Sequence, residues 1–164
     1  MASGSPSHAE GSKVIASGQY SHGEGSSNLA FGIEAHVEGA SLGAIGRYSH
    51  AEGHGDTVYF QLTAPVNSTT YTISSYYPAA YATLSVGDYL IVYSSNRNTE
   101  HSVAKVTAVD KNLTTVTVDK TLSSTSTSLQ AWAIQYGAFG ESSHSEGYMT
   151  KASGQYSHAE GRKT

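Results

Sequence analysis

The chain has 164 residues, enough for one ordinary domain or two small ones, which excludes a large multidomain enzyme. Charged residues make up only 13% while glycine (17) and tyrosine (12) are abundant, a turn-rich β composition that excludes a helical bundle. Lys and Arg number 9 against 13 for Asp and Glu, for a net charge of −4 with no basic cluster, so nucleic acid is not an expected partner; with no cysteine there is no disulfide, thiolate metal site or thiol nucleophile.

The chain opens on MASGSPSHAEG, which has neither a basic stretch nor an apolar h-region. No run anywhere approaches the ~18 apolar residues of a membrane span. The expectation is therefore of a protein that does not insert into a membrane and that reaches the outside of a cell, if it does, by lysis or by assembly into a particle.

A repeat dominates both ends of the chain. His-x-Glu-Gly occurs at His8, His22, His36, His50, His144 and His158, at spacings of 14, 14, 14, 94 and 14. Beneath it runs a seven-residue glycine register, Gly4, Gly11, Gly18, Gly25, Gly32, Gly39, Gly46 and Gly53, resumed at Gly140, Gly147, Gly154 and Gly161. The gap from Gly53 to Gly140 is one period plus 80 residues, so a separate unit has been inserted into a continuous repeat. Two positions before most of these glycines stands alanine, with Gly23, Val37 and Ser145 as departures. A coiled coil would need large apolar residues where this repeat has Ala and Gly. Seven residues can instead supply a short strand and a tight turn, with glycines such as Gly32 and Gly39 expected to take positive φ at the corners, and two such units make one 14-residue coil of a β-solenoid.

Side chains alternate along a strand. In Ser-His-Ala-Glu-Gly the small residues then face a narrow interior, while His and Glu form two outer columns. Stacking would align His8, His22, His36, His50, His144 and His158 in one column and Glu10, Glu24, Glu38, Glu52, Glu146 and Glu160 in the other. His and carboxylate are both metal ligands. An identical pair in every coil nevertheless reads as a structural ladder of His-to-Glu hydrogen bonds, so no metal or cofactor is expected. The opposite strand carries Ile15, Leu29, Phe31, Ile45 and Phe139 at alternate positions, interrupted by Ser17, Lys151 and Ser153, and this apolar side is the first choice for a seam between chains. The His–Glu side is the alternative.

SHAEG at 7–11, 49–53 and 157–161, SHGEG at 21–25, SHSEG at 143–147 and the linking ASGQY at 16–20 and 152–156 carry a family resemblance. The repeats resemble the heads of YadA-like trimeric autotransporter adhesins, and still more the SHAEG-containing repeats of bacteriophage tail and fibre proteins. The resemblance covers residues 2–55 and about 137–164. It implies a left-handed parallel β-roll and a homotrimer. The inserted unit and the absence of an adhesin-type leader and anchor shift the expectation from an autotransporter to a phage particle. Energetics also favour association, since an Ala- and Ser-filled coil buries little apolar area against a chain entropy of ~1–2 kcal/mol per residue.

Between the roll segments 1–55 and 137–164, residues 56–136 lose the glycine register. TVYFQLTA, TTYTIS, DYLIVYSS, SVAKVTAVD, TTVTVDKTL and LQAWAIQY read as six strands, separated by turn-like segments around Gly87, Asn96–Asn98 and Asp110–Asn112. A small antiparallel barrel or sandwich is predicted, similar in strand order to SH3-like or OB-like barrels. Most of the tyrosines fall here, and Tyr76, Tyr77 and Tyr81, in SSYYPAAYATLS, are the candidate binding residues: tyrosine in irregular loops offers flat amphipathic surface to a sugar or a protein.

No catalytic arrangement stands out. Asp88, Glu100, His101, Asp110 and Asp119 are scattered among turns, where such groups are expected to be solvated. The chain is thus expected to be a non-enzymatic structural and binding protein, a trimeric fibre, spike or tail-tip component. It would be assembled in the host cytoplasm into a virion, beside other virion proteins and facing a host glycan or protein. A capsid decoration protein and a polysaccharide-degrading spike with acids in clefts between chains are the competing readings.

Overall fold

The computed structural model describes residues 1–56, 58–65, 69–73, 84–93, 101–112, 114–122 and 128–164. The chain is all-β and divides into two units, Met1–Thr57 with Gln135–Thr164, and Val58–Ile134.

The first unit is a parallel β-solenoid with 14-residue coils. Each coil holds a five-residue strand and a two-residue strand. The long strands β1 (His8–Ser12), β3 (His22–Ser26), β5 (His36–Ala40), β7 (His50–His54), β15 (His144–Tyr148) and β17 (His158–Arg162) form one parallel sheet in that order. The short strands β2 (Ile15–Ala16), β4 (Leu29–Ala30), β6 (Gly43–Ala44), β14 (Gly137–Ala138) and β16 (Lys151–Ala152) form a second. Like residues pair with like throughout, His8 with His22 and Glu10 with Glu24. The pairing crosses the insertion intact: His50 meets His144, and Gly43 meets Gly137. Gly43 and Gly137 are 94 positions apart where one coil requires 14, so the 80 added residues are 57–136. That moves the first residue of the insertion one place beyond the expected Asp56.

The interior is as thin as the alternation implies. Ala16, Ala30, Ala44, Ala51 and Ala138 are buried in one cluster, widened where the repeat departs from alanine by Val37 and Leu42. Burying side chains of that size contributes about 1.5–3 kcal/mol each. Room for Val37 comes from the neighbouring coil: a Cβ at Gly23 would meet the Cγ1 atoms of Val14 and Val37 at 2.9 and 3.4 Å. Asn28 fills an otherwise apolar interior column and is fully buried, with all its polar capacity engaged. Its Nδ2 donates to the carbonyls of Glu24 (2.6 Å) and Gly39 (2.9 Å), and its Oδ1 accepts from Leu42 N (2.9 Å), which ties successive coils together. Ile15, Leu29 and Ile45, expected on an open outer face, are buried, whereas Phe31 and Phe139 are half-buried.

Turn chemistry differs from the expectation in one respect. At the Gly18 corner, Ser21 N donates to Gly18 O (3.2 Å), and the positive φ belongs to Tyr20 (57°), the third residue, as a type II turn asks. Ser21 Oγ donates to the same carbonyl (2.6 Å), and Ser7, Ser49, Ser143 and Ser157 repeat this bond at their own corners. Gly32 therefore is not a positive-φ residue, whereas Gly39 is, at 106°. The first column of glycines is required by close approach instead: a Cβ on Gly32 would overlap the carbonyl oxygen of Gly46 in the next coil.

The second unit is an antiparallel barrel of six strands, β8 (Val58–Pro65), β9 (Thr70–Ile73), β10 (Tyr89–Tyr93), β11 (His101–Asp110), β12 (Thr115–Val118) and β13 (Ser128–Ile134), closed in the order β10-β11-β12-β9-β8-β13. All six predicted strands are present. Alternate residues Leu62, Tyr71, Ile73, Leu90, Val92, Ala104, Val106, Val116, Val118, Leu129, Ala131 and Ala133 fill it. Closure removes the free edges that a six-stranded open sheet would expose. Register shifts at Thr63/Pro65 and Val106/Ala108 supply the local bends.

Candidate functional site

The twelve His and Glu residues of the repeat stand in two parallel columns on the long-strand sheet. Each pair sits at positions i and i+2 of one strand, hence on one face, and each strand lies beside its copy in the next coil. The imidazoles of His22, His36, His50 and His144 stack nearly flat, with centroids 4.8–4.9 Å apart and interplanar angles of 2–13°. His8 meets His22 edge-on at 86°, and His158 is tilted 39° from His144.

His-to-Glu hydrogen bonds, expected from the sequence, are not what joins the columns. His Nε2 and Glu Oε2 lie 3.6–3.9 Å apart in all six pairs, outside hydrogen-bond range. The Nε2 atoms of His22, His36, His50 and His144 are shielded from solvent and have no hydrogen-bond partner. Stacking and a weak His–Glu attraction, rather than hydrogen bonding, therefore accompany the coil-to-coil register.

Stacking like groups has an electrostatic cost, clearest in the middle of the sheet. Partial burial holds the His50 pKa below its ordinary value, helped by His36 and His144 and opposed by Glu38 and Glu146. Burial, hydrogen bonding with Glu146 and Glu38, and their charge push the Glu52 carboxyl up. The signs are opposite in effect. His50 binds its proton less readily folded than unfolded, so its contribution to stability is complete above about pH 6.5 and is lost as the pH falls through the folded value. Glu52 contributes below about pH 4.5 and loses that contribution as the pH rises through its raised folded value. With a chelator present throughout, the melting temperature of the intact protein should fall between about pH 7.5 and 5.5, and His50→Gln should flatten that fall. An identical pH slope in the variant would remove His50 as the cause.

Elsewhere the candidates separate. Asp88 is buried, not solvated: its Oδ2 accepts from Ser85 N (2.9 Å), and it fixes the turn that carries Gly87 into β10. Asp110 and Asp119 are exposed and accept backbone hydrogens, from Asn112 N and Lys105 N, both at 2.9 Å. His101 begins β11, and Glu100 lies outside the described residues, as do Tyr76, Tyr77 and Tyr81. Nothing among the described residues brings the scattered acids together into one site. Among the described residues, no helix is long and apolar enough to cross a membrane.

Sequence reasoning treated the six His–Glu pairs as equivalent, and the structure distinguishes one group. His144, Glu146 and His158 bring three ligand atoms within 4.8 Å of one another. The signal that singles them out is the tilt of His158, which no sequence spacing carries.

Fold and ladder together define a β-solenoid repeat protein carrying an inserted antiparallel barrel. Compared with family models, with curated proteins and with solved structures, the chain matches none.

Proposed function

We propose that the protein is a non-enzymatic structural and binding component of a phage-like particle, a homotrimeric fibre, spike or tail tip in which the solenoid is the rigid spacer and the barrel the contact module. The observation that carries this reading is the register across the insertion. Coils on either side pair residue for residue, so 80 residues have been added to a repeat without disturbing its phase. A surface of near-identical coils suits extension, and a module set into it suits recognition, since specific contacts are usually placed on loops held by a rigid scaffold. The likeness of the SHAEG repeats to phage tail and fibre repeats supplies the setting, and with it the left-handed winding, assembly in the host cytoplasm and the company of other virion proteins.

The thin Ala-rich interior supports association, because little apolar area per residue is buried within one coil. Sedimentation equilibrium at micromolar concentration should return the mass of three chains, and a monomer would overturn the trimer. Tail or capsid genes adjacent to the gene for this chain support the particle setting, and an unrelated metabolic operon would remove it.

A further inference from the structure

We propose that His144, Glu146 and His158 form a binding site for a divalent first-row transition-metal ion of the Zn2+ class. Strand β15 presents His144 and Glu146 on one face two residues apart, and β17, paired with it in register, places His158 directly beside His144. Their donor atoms, one from each side chain, all lie within 4.8 Å of one another.

Three features favour a shared ion over a stacked, empty ladder. The first is distance. His144 Nε2 and Glu146 Oε2 are 3.6 Å apart, too far for a hydrogen bond. A tetrahedral ion with bonds of about 2.0–2.2 Å to imidazole and carboxylate needs its donors roughly 3.4 Å apart. The second is an unused atom: His144 Nε2 is shielded from solvent and has no hydrogen-bond partner, so its binding capacity is not met within the chain. The third is orientation. In the inner coils the rings lie within 2–13° of parallel, which keeps neighbouring nitrogens side by side, each in its own ring plane. His158 is turned 39° out of that stack, so modest side-chain rotation can bring its nitrogen toward the His144–Glu146 pair.

Two imidazoles and one carboxylate are a donor set of borderline softness, suited to zinc and its neighbours rather than to calcium or magnesium, which take oxygen ligands. Side chains of His144 and Glu146 remain 36% exposed, leaving a fourth position open to water.

The test uses the intact chain, stripped with a chelator and exchanged into chelator-free buffer. Titration with Co2+ should give one saturating visible d–d band typical of a low-coordinate N/O site, and Zn2+ should displace it. Each of His144→Gln, His158→Gln and Glu146→Gln should weaken Zn2+ binding about tenfold or more, measured by competition with a chromogenic chelator. His54→Gln, which alters a histidine stacked on Tyr148 outside the ladder, should bind as the parent does. Circular dichroism reports whether each variant keeps its sheet, and Glu146→Gln alters only a half-exposed side chain. Absence of saturable Co2+ and Zn2+ binding to the intact chain overturns the proposal, as does parental affinity in all three ligand variants.

Discussion

Gly39→Val and Gly32→Val should each destabilise the protein by about 3 kcal/mol or more, for two different reasons. At Gly39 the backbone itself resists, because φ is 106° and a β-branched residue cannot take that conformation without strain. The new Cβ would also overlap the carbonyl of Gly53 in the next coil. At Gly32 the dihedral is no obstacle, and the whole effect comes from overlap with the carbonyl oxygen of Gly46. Because the coils stack at the ~4.8 Å strand spacing, neither backbone can retreat without breaking the pairing on both sides. Gly32→Ala and Gly39→Ala separate the causes. Alanine at Gly32 should cost nearly as much as valine, since the first added carbon makes the clash, and alanine at Gly39 should remain costly through φ as well. Urea unfolding with unchanged m-values is the measurement. A midpoint unmoved in both valine variants would mean that the coils are not stacked as described.

Those glycines also mark how far the fold could be read from the chain. Identical residues recurring every 14 positions have only one register that stacks like on like, and this is why the pairing of His50 with His144 was legible across an interruption of 80 residues. The six barrel strands were legible because β-branched and aromatic residues alternate along each of them. Dihedral angles were not. A glycine spacing does not say whether glycine is needed for positive φ or for close approach, and at the Gly18 corner the left-handed residue is Tyr20. Nor does spacing give side-chain distances. His and Glu at i and i+2 share a face in any strand, but whether they meet within hydrogen-bond range or at 3.6 Å depends on rotamers that coil stacking selects. Asp88 differs from its expectation for a related reason: an acid beside a turn glycine looks solvated until the turn is seen to be buried at the entrance of β10. The junction lies one residue from its expected place because Gly55 and Asp56 are turn-like in either unit.

Removing residues 57–136 and joining Asp56 to Gly137 should leave the solenoid folded and associated while abolishing its binding to host cells. The first half follows from register. Gly137 occupies in its coil the place that follows Asp56, since it pairs with Gly43 as the next coil would. The joined chain therefore restores an unbroken repeat. Joining Gly55 to Gly137 instead would delete one residue too many, and in a strand a one-residue slip turns every side chain to the other face. The interior alanines from Ala138 onward would then meet the His–Glu side of the preceding coil, so this second deletion should fail to fold. The pair of deletions thus tests the phase argument through circular dichroism and sedimentation alone. The second half tests where recognition lies. If the barrel is the contact module, the phase-preserving deletion should keep the oligomeric state and lose staining of bacterial cells that the fluorescently labelled intact protein stains. Three copies per particle would make that loss large, because linked weak contacts reinforce one another and disappear together. Tyr76→Ser, Tyr77→Ser and Tyr81→Ser, made singly in the intact chain, should each lower staining if these tyrosines carry the contact. Equal staining by the intact protein and the phase-preserving deletion would assign recognition to the solenoid, whose outer columns of His, Glu and corner tyrosines would then be the surface that binds.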